Sequence, residues 1–200
     1  NETDLTDWSA GQADTIFLVS LNQQDKQVSV IGIPRNSMVS VDIYNEDEQC
    51  IDTIYNQICL QYGYAGGGEL GLIKMKDCVS KMMYELPIHG VCAISFKAIS
   101  IMTDMMDGIE VTVPDDMTEF EPSYIQGTRV TLTGKNVVGY LRYRNYDELG
   151  SPTTRLTRQK DFMKAAISSG IAKLKANPLF VSDIYQAIVP YMNTDITLDR

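Results

Sequence analysis

The residues best suited to anion chemistry are four of the chain's seven arginines, which fall within residues 140–162: Arg142, Arg144, Arg155 and Arg158. Arginine presents a planar fork of N–H donors that matches the oxygens of a phosphate. The chain as a whole has a formal net charge of −9, yet residues 129–164 carry eight basic residues against three acidic ones. A local basic site on an acidic body favours a small anionic ligand and argues against nucleic-acid binding, which needs a broad basic face.

The spacing of Arg155, Arg158 and Gln159 is i, i+3, i+4, which places side chains on one face of a helix. We predict a helix from about residue 154 to 174. These side chains would then lie near its N-terminus, where free N–H groups and the helix dipole favour anions. A bound phosphate would explain arginines in a turn that otherwise prefers acidic residues.

Arg142 and Arg144 are two residues apart, so in an extended chain both side chains would leave from one face. The alternative for the whole arginine group is a solvated ion-pair network with nearby acids, which would contribute little to stability. The acids available for such a network are Asp147, Glu148 and Asp161.

Two residues far upstream could complete an anion site. Arg35 comes directly after an apolar strand that ends in Pro34, and strand ends are where α/β sheets commonly bind ligands. Asp14 stands at the entrance to the first strand. A carboxylate beside a phosphate suggests Mg²⁺, which takes one or two carboxylates together with phosphate oxygens. The alternatives are a loop-anchoring arginine and an ordinary turn aspartate.

The elements that must position these residues alternate between strands and helices. We predict strands at residues 14–22, 27–34, 38–44, 89–95 and 109–114, and helices at 70–85, 96–108, 131–141, 154–174 and 178–192, with polar loops at 44–52 and 115–129. Such alternation indicates the α/β class, here a layered α/β/α domain with a central mixed β-sheet. The length of 200 residues fits a single domain over residues 1–200.

The cysteines, the single histidine and the methionines give weaker indications. No CxxC pair is present and His89 is the only histidine, which argues against a zinc site and a nucleophilic triad. We expect buried thiols, with one disulfide as the alternative. The methionines of two predicted helices fill the core or line a groove for a lipid chain: Met75, Met82, Met83, Met102, Met105 and Met106.

Three segments resemble, in order, the motifs of the LytR-CpsA-Psr family of bacterial cell-envelope enzymes. QADTIFLVSLNQQDKQVSVIGIPRNSMVSVDIY (12–44) is similar to the opening S-D-T strand and I-P-R-D-T segment. ISFKAISIMTDMMDGIEVTVPDDM (94–117) resembles the central segment that ends in V-x-V-P. VTLTGKNVVGYLRYR (130–144) followed by RLTRQKDF (155–162) resembles the L-x-Y-x-R-x-R and R-x-x-R-Q motifs.

The resemblance implies a phosphotransferase that moves a glycopolymer from a polyprenyl-pyrophosphate carrier to peptidoglycan and forms a phosphodiester link. It implies Mg²⁺ or Mn²⁺ as the cofactor, Asp14 as a metal ligand and Arg35 as the catalytic residue. The implied pyrophosphate ligands are Arg35, Arg142, Arg144, Arg155, Arg158 and Gln159. We therefore expect an extracellular fragment of a membrane-associated protein whose N-terminal anchor helix and far C-terminus are missing. No nucleic-acid partner is expected.

Two departures from the family pattern keep alternatives open. Asn36 stands where the family has the aspartate of P-R-D. A second metal-binding acid would have to be found among Glu2, Asp4 and Asp7, or before Asn1. The alternatives are a non-catalytic regulator that binds polyprenyl phosphate or polymer, and a hydrolase of the same pyrophosphate. For all three functions we expect the arginines to converge on one anion site, beside an apolar pocket lined partly by the helices at 70–85 and 96–106.

Overall fold

The structure, a computed structural model, describes residues 11–144 and 151–196. The chain divides into two compact units. Unit 1 is formed by Asn1–Ile94 with Tyr191–Arg200, and unit 2 by Ser95–Pro190. The single domain over residues 1–200 stays a prediction. Within the described ranges, no helix combines the length and the apolar character needed to cross a membrane.

Eight strands and six α-helices make up the described residues. The strands are β1 (Ile16–Asn22), β2 (Gln27–Ile33), β3 (Met38–Tyr44), β4 (Cys50–Gln57), β5 (Cys92–Ile94), β6 (Ile109–Thr112), β7 (Arg129–Leu132) and β8 (Met192–Thr194). The helices are α1 (Gln61–Tyr64), α2 (Gly68–Met82), α3 (Phe96–Met105), α4 (Val137–Arg142), α5 (Ser151–Ala176) and α6 (Phe180–Ile188), with 3₁₀ turns at Ile58–Leu60 and Val189–Tyr191.

Unit 1 is built from three antiparallel strand pairs, β1–β2, β3–β4 and β5–β8, and from helices α1 and α2. The β1–β2 turn forms because the Asn22 side chain accepts hydrogen bonds from the backbone N–H groups of Gln24 and Asp25. The core of the unit contains Ile16, Ile33, Ile58, Tyr62, Leu72, Met75, Cys78 and Val79. Met75 therefore fills the core, as one of the two alternatives for the methionines predicts.

Unit 2 contains the β6–β7 pair and helices α3 to α6. Helix α3 begins at a side-chain cap, because Ser95 Oγ accepts from the N–H of Ala98 at 3.3 Å. It ends at Met105, and Gly108 follows with φ 91° and donates its N–H to the carbonyl of Thr103 at 3.0 Å. The core contains Met106, Ile109, Val111, Val113, Met117, Tyr124, Leu132, Val137, Tyr140, Leu141 and Phe162.

The arrangement of strands differs from the predicted central mixed sheet. Every ladder among the described residues is a two-stranded antiparallel pair. The predicted loop over 44–52 is wrong at its end, because β4 begins at Cys50 and pairs with β3. Its polar and largely exposed sequence, CIDTIYNQ, gives little hydrophobic alternation from which a strand could be recognised.

Several predicted helix boundaries are also wrong. The helices predicted at 70–85 and 96–108 end three residues earlier, at Met82 and Met105. Residues 129–132 form β7, and α4 begins only at Val137, because the Asn136 side chain folds back to accept from the N–H of Thr133 at 2.7 Å. Helix α5 begins at Ser151, since Pro152 is tolerated in a first helical turn. Helix α6 ends at Ile188, before Pro190, and the chain then enters β8.

The cysteines are all free thiols, so the disulfide alternative is wrong. Cys59 and Cys78 are buried as predicted, and burial raises the pKa of the Cys78 thiol to about 11. Cys50 and Cys92 are exposed, which corrects the prediction for both. Both lie in two-stranded pairs, where an apolar neighbour in sequence does not guarantee burial.

The buried side chain of Gln61 supports unit 1 beside the segments that carry Arg35. Its Nε2 donates to the carbonyl of Asp42 at 3.0 Å, and its Oε1 accepts from the N–H of Asp42 at 2.9 Å. The amide therefore satisfies both backbone groups of Asp42, as a neighbouring strand would.

We expect Gln61→Met to lower the free energy of unfolding by about 2 kcal/mol, because it leaves two backbone groups of Asp42 without their donor and acceptor. Urea unfolding followed by circular dichroism measures this change. Gln24→Met, at an exposed turn position, is the control and should change the value by less than about 0.5 kcal/mol. An equally small loss for Gln61→Met would mean that water replaces the amide.

Candidate functional site

Arg35 lies in unit 1, in the turn after β2, and its guanidinium contacts the segment that leads into β1. Nη1 donates to Asp14 Oδ1 at 2.5 Å, and Nη2 donates to Gln12 Oε1 at 2.5 Å. Nη2 also lies 3.5 Å from the Sγ of Cys59. The side chains of Arg35 and Asp14 are 21% and 26% exposed, so the ion pair is partly shielded and still reachable from solvent.

Backbone hydrogen bonds fix the three segments that meet at this ion pair. The N–H of Ala13 donates to the carbonyl of Cys59 at 3.1 Å, and the N–H of Cys59 donates to the carbonyl of Arg35 at 3.2 Å. The N–H of Ile58 donates to the carbonyl of Ser37 at 2.9 Å. Residues 13, 35 and 59 are thus joined through the main chain, which holds the side chains of the pair in place.

The pair places a cationic fork of donors beside a carboxylate. The Arg35 guanidinium can donate to phosphate oxygens, and the Asp14 carboxylate is a ligand type that Mg²⁺ prefers. Within the described ranges no group of three or more His, Cys, Asp and Glu side chains could hold a metal ion. Asp14 would therefore supply one ligand, which fits Mg²⁺ when phosphate oxygens and water complete the coordination. The predicted acids Glu2, Asp4 and Asp7 lie outside the described residues.

Arg158 is a member of unit 2 and is almost completely buried, with 1% of its surface exposed. Nη1 donates to the carbonyl of Tyr140 at 3.0 Å, and Nη2 donates to the carbonyl of Tyr143 at 3.1 Å. The guanidinium carbon lies 5.7 Å and 5.5 Å from the centroids of the same two tyrosine rings. The Sδ of Met117 is 3.3 Å from Nη1. Protein atoms thus surround the guanidinium.

Gln159 and Arg155 share the buried face of α5 with Arg158, each 6% exposed. The Nε2 of Gln159 donates to the carbonyl of Leu141 at 3.2 Å. Because α5 begins at Ser151, Arg158 lies about two turns into the helix. The expectation that it belongs to an anion-binding N-terminal turn is therefore wrong, although its helical spacing from Arg155 holds.

Arg142 is the last residue of α4 and is exposed, with its guanidinium carbon 5.1 Å from the centroid of the Phe96 ring. That distance is typical of a cation–π contact. Tyr143 is extended (φ −51°, ψ 138°), and the half-buried Arg144 follows it. The prediction that Arg142 and Arg144 both lie in extended chain is wrong for Arg142, because this residue has helical conformation.

Asp115 is the acidic partner that sequence reasoning missed. Its Oδ1 lies 3.5 Å from the Nε of Arg158. Burial raises the pKa of the Asp115 carboxyl, and the nearby Arg158 charge only partly offsets this. Burial likewise lowers the pKa of the Arg158 guanidinium. Desolvation therefore outweighs the attraction within the pair. No spacing rule links residue 115 to residue 158, so the sequence offered no way to find this contact.

The solvated ion-pair network proposed as an alternative is not what surrounds Arg158. Its acidic partner is Asp115, whereas Asp161 lies 3.9 Å from Lys164. Asp147 and Glu148 lie outside the described residues. Arg35 belongs to unit 1, whereas Arg142, Arg144, Arg155 and Arg158 belong to unit 2. Their convergence on one anion site, and the apolar pocket beside it, stay predictions.

Comparisons with known proteins point to one family. A model of the LytR_cpsA_psr family matches residues 4–200. The polyisoprenyl-teichoic acid–peptidoglycan teichoic acid transferase TagU of Bacillus cereus (strain AH820) is 20% identical over 190 residues, which are 95% of this chain and 57% of that protein. TagV of Bacillus subtilis (strain 168), with the same description, is 24% identical over 175 residues, 82% of this chain and 41% of that protein.

Solved structures support the fold. The crystal structure of TagV from B. subtilis superposes with a TM-score of 0.67 at 21% identity and covers 94% of this chain and 68% of that one. Together with the observed helices and strands, this likeness confirms the predicted α/β class. The chain spans about half the length of the curated relatives it matches.

Asp115 should give the stability of unit 2 a characteristic pH dependence. An acid whose pKa is raised by folding holds its proton more tightly in the native state. The free energy of unfolding should therefore fall as pH rises from the ordinary value of 3.8 through the raised pKa. Asp115→Asn should remove this loss. The measurement is the urea unfolding of both proteins at a series of pH values from about 3 to 7.

The neighbouring Asp116 provides a control of opposite sign. The backbone N–H of Thr118 donates to Asp116 Oδ1 at 3.0 Å, and this hydrogen bond lowers the pKa of Asp116. The stabilisation from this hydrogen bond is present above the ordinary pKa of aspartate and is lost as pH falls through the lowered pKa of Asp116. The free energy of unfolding of Asp116→Asn should therefore fall further below that of wild type as pH rises. Parallel pH curves for wild type and Asp115→Asn would show that Arg158 fully compensates the buried carboxylate.

Proposed function

The chain belongs to the LytR_cpsA_psr family, and we propose that it carries the catalytic domain of an enzyme that transfers a glycopolymer from a polyprenyl-pyrophosphate carrier to peptidoglycan. The names of its relatives, which are teichoic acid transferases, support this class of donor and acceptor. The observation that carries the proposal is the Arg35–Asp14 pair, because it combines a phosphate-binding fork with a metal-binding carboxylate at one partly exposed point. The full-length protein would act at the extracellular face of the cell membrane, held by an N-terminal helix.

The reaction requires no protein nucleophile. A sugar hydroxyl of the acceptor forms a bond to the phosphorus that bears the polymer and releases its proton to solvent. The bridging P–O bond breaks, and polyprenyl phosphate leaves with that oxygen. The protein's task is to position the groups and to neutralise charge on the phosphoryl oxygens. Arg35 can do this without giving up Asp14, because the guanidinium has more N–H donors than the two contacts use.

Asp14 would hold the divalent ion, which when bound would polarise the phosphoryl oxygens and neutralise part of the pyrophosphate charge. In the absence of an anion, Asp14 and Arg35 neutralise each other. The family resemblance also assigns Arg142, Arg144, Arg155, Arg158 and Gln159 to the pyrophosphate. We retain the roles of Arg142, Arg144 and Arg155 as proposals, whereas the side chains of Arg158 and Gln159 donate to backbone carbonyls of residues 140, 141 and 143. The exposed guanidinium of Arg142 is consistent with such a role.

Arg35→Ala should lower transfer about 100-fold or more, because it removes charge stabilisation at the reacting phosphorus. The assay is mass-resolved transfer from a short-chain polyprenyl-pyrophosphate saccharide to a peptidoglycan fragment with Mg²⁺. Arg35→Lys keeps the charge without the fork and should recover only part of the activity. Arg129→Ala is the matched control, since the Arg129 side chain is 75% exposed and pairs only with the exposed Glu110 among the described residues.

Three outcomes would redirect the assignment. Release of a free sugar phosphate in place of transfer would identify a hydrolase. Tight binding of the carrier without turnover would identify a non-catalytic regulator. Unfolding of Arg35→Ala, measured by thermal denaturation, would mean that the contacts of Arg35 with Gln12 and Asp14 serve structure alone.

Asp14→Ala should act through the metal and not through the phosphate. We expect a lower apparent affinity for Mg²⁺, so that activity falls at low Mg²⁺ and is partly restored by excess Mg²⁺. Transfer is measured over a Mg²⁺ titration, and Asp25→Ala, at an exposed turn position, is the control. Full activity of Asp14→Ala at low Mg²⁺ would place the metal on other residues, with Glu2, Asp4 and Asp7 as the next candidates.

A further inference from the structure

We propose that Arg158 is a positioning residue. It holds the C-terminal end of α4 and so sets the direction of the side chains of Arg142, the last residue of the helix, and Arg144, which follows it. The inference rests on the proposed function, in which those two arginines bind pyrophosphate. It replaces the role that the family resemblance gives to Arg158, as a pyrophosphate ligand itself.

The end of α4 lacks donors that a longer helix would supply. Helix α4 has six residues and ends at Arg142. The N–H of Tyr143 still donates to the carbonyl of Gly139 at 2.9 Å, but the chain is extended at Tyr143, so among the described residues no following turn supplies N–H groups to the carbonyls of Tyr140 and Leu141. Arg158 donates to the carbonyls of Tyr140 and Tyr143, and Gln159 donates to the carbonyl of Leu141. Two adjacent side chains of α5 thus cap the segment that carries Arg142 and Arg144.

The surroundings of Arg158 leave no surface for a ligand. The residue is 1% exposed, lies against the rings of Tyr140 and Tyr143, and has Asp115 on its Nε side. A pyrophosphate could reach this guanidinium only if the core of unit 2 opened. Arg142, by contrast, is exposed. The difference in burial therefore indicates different roles. Arg158 can hold the backbone, and Arg142 can contact a substrate.

The contact pattern requires arginine and not merely a positive charge. One planar guanidinium spans two carbonyls that belong to residues three positions apart. A lysine ammonium is a compact, strongly hydrated charge on a flexible stem and cannot reproduce this fork. Arg158→Lys therefore keeps the charge beside Asp115 while removing the cap geometry.

A double-mutant cycle with inorganic pyrophosphate, followed by calorimetric titration, tests the proposal. We expect Arg142→Ala to weaken binding about 10-fold in the wild-type background. In the Arg158→Lys background the same change should cost only about 2-fold, because the Arg142 guanidinium is already displaced. Lys164→Met, at a lysine side chain that is 69% exposed on the same helix, is the control and should leave the effect of Arg142→Ala at its full size.

Amide hydrogen exchange supplies a readout that does not depend on pyrophosphate. In Arg158→Lys, faster exchange confined to residues 139–144 supports the proposal. If wild type fails to bind pyrophosphate, the proposed function is in doubt, and this pattern still decides the positioning role. Additive effects in the cycle, or unchanged exchange at residues 139–144, would overturn it. If Arg158→Lys does not fold, Gln159→Met takes its place, because it removes only the hydrogen bond to the carbonyl of Leu141. The double-mutant cycle with Arg142→Ala and the exchange of residues 139–144 are then measured in that variant.

Discussion

The burial of one guanidinium is the constraint on which the described part of unit 2 depends. A charged group at 1% exposure is costly unless its donors are satisfied. Arg158 offsets part of that cost with two backbone carbonyls, two aromatic rings and the charge of Asp115, while its buried Nε makes no hydrogen bond within the described residues. These partners lie outside α5, in α4 with the residue that follows it and in the loop after β6. The side chain therefore ties the end of α4 and the loop after β6 to the long helix.

Arg35 shows how the same residue type serves a different purpose when it is less buried. Its guanidinium also donates to acceptors from another segment, Gln12 and Asp14. Its contacts, however, are with side chains, and both members of the ion pair keep about a fifth to a quarter of their surface exposed. Side-chain partners can be exchanged for phosphate oxygens, whereas backbone carbonyls at the end of a helix cannot move without unwinding it.

The sequence predicts local features well and distant contacts poorly. Helix α3 was predicted to within three residues of its end from Gly108, because a left-handed glycine acts within a few residues. Strand β4 was missed because its residues are polar and exposed, so no hydrophobic period marks it. The position of Arg35 directly after β2 was predicted from the sequence. Its contact with Gln12 and the contact of Arg158 with Asp115 were not, because both depend on how separate segments pack.

The gathering of arginines in an acidic chain thus has two physical causes. In the proposed function, anion binding would account for an exposed arginine such as Arg142. It does not account for Arg158, whose two Nη groups donate to backbone carbonyls in the protein interior. A short helix that presents cationic side chains at its C-terminus leaves its last carbonyls without donors, and a second arginine on α5 supplies them. A ligand-facing arginine and a backbone-holding arginine are therefore expected to occur together, since the first needs the second to fix its direction.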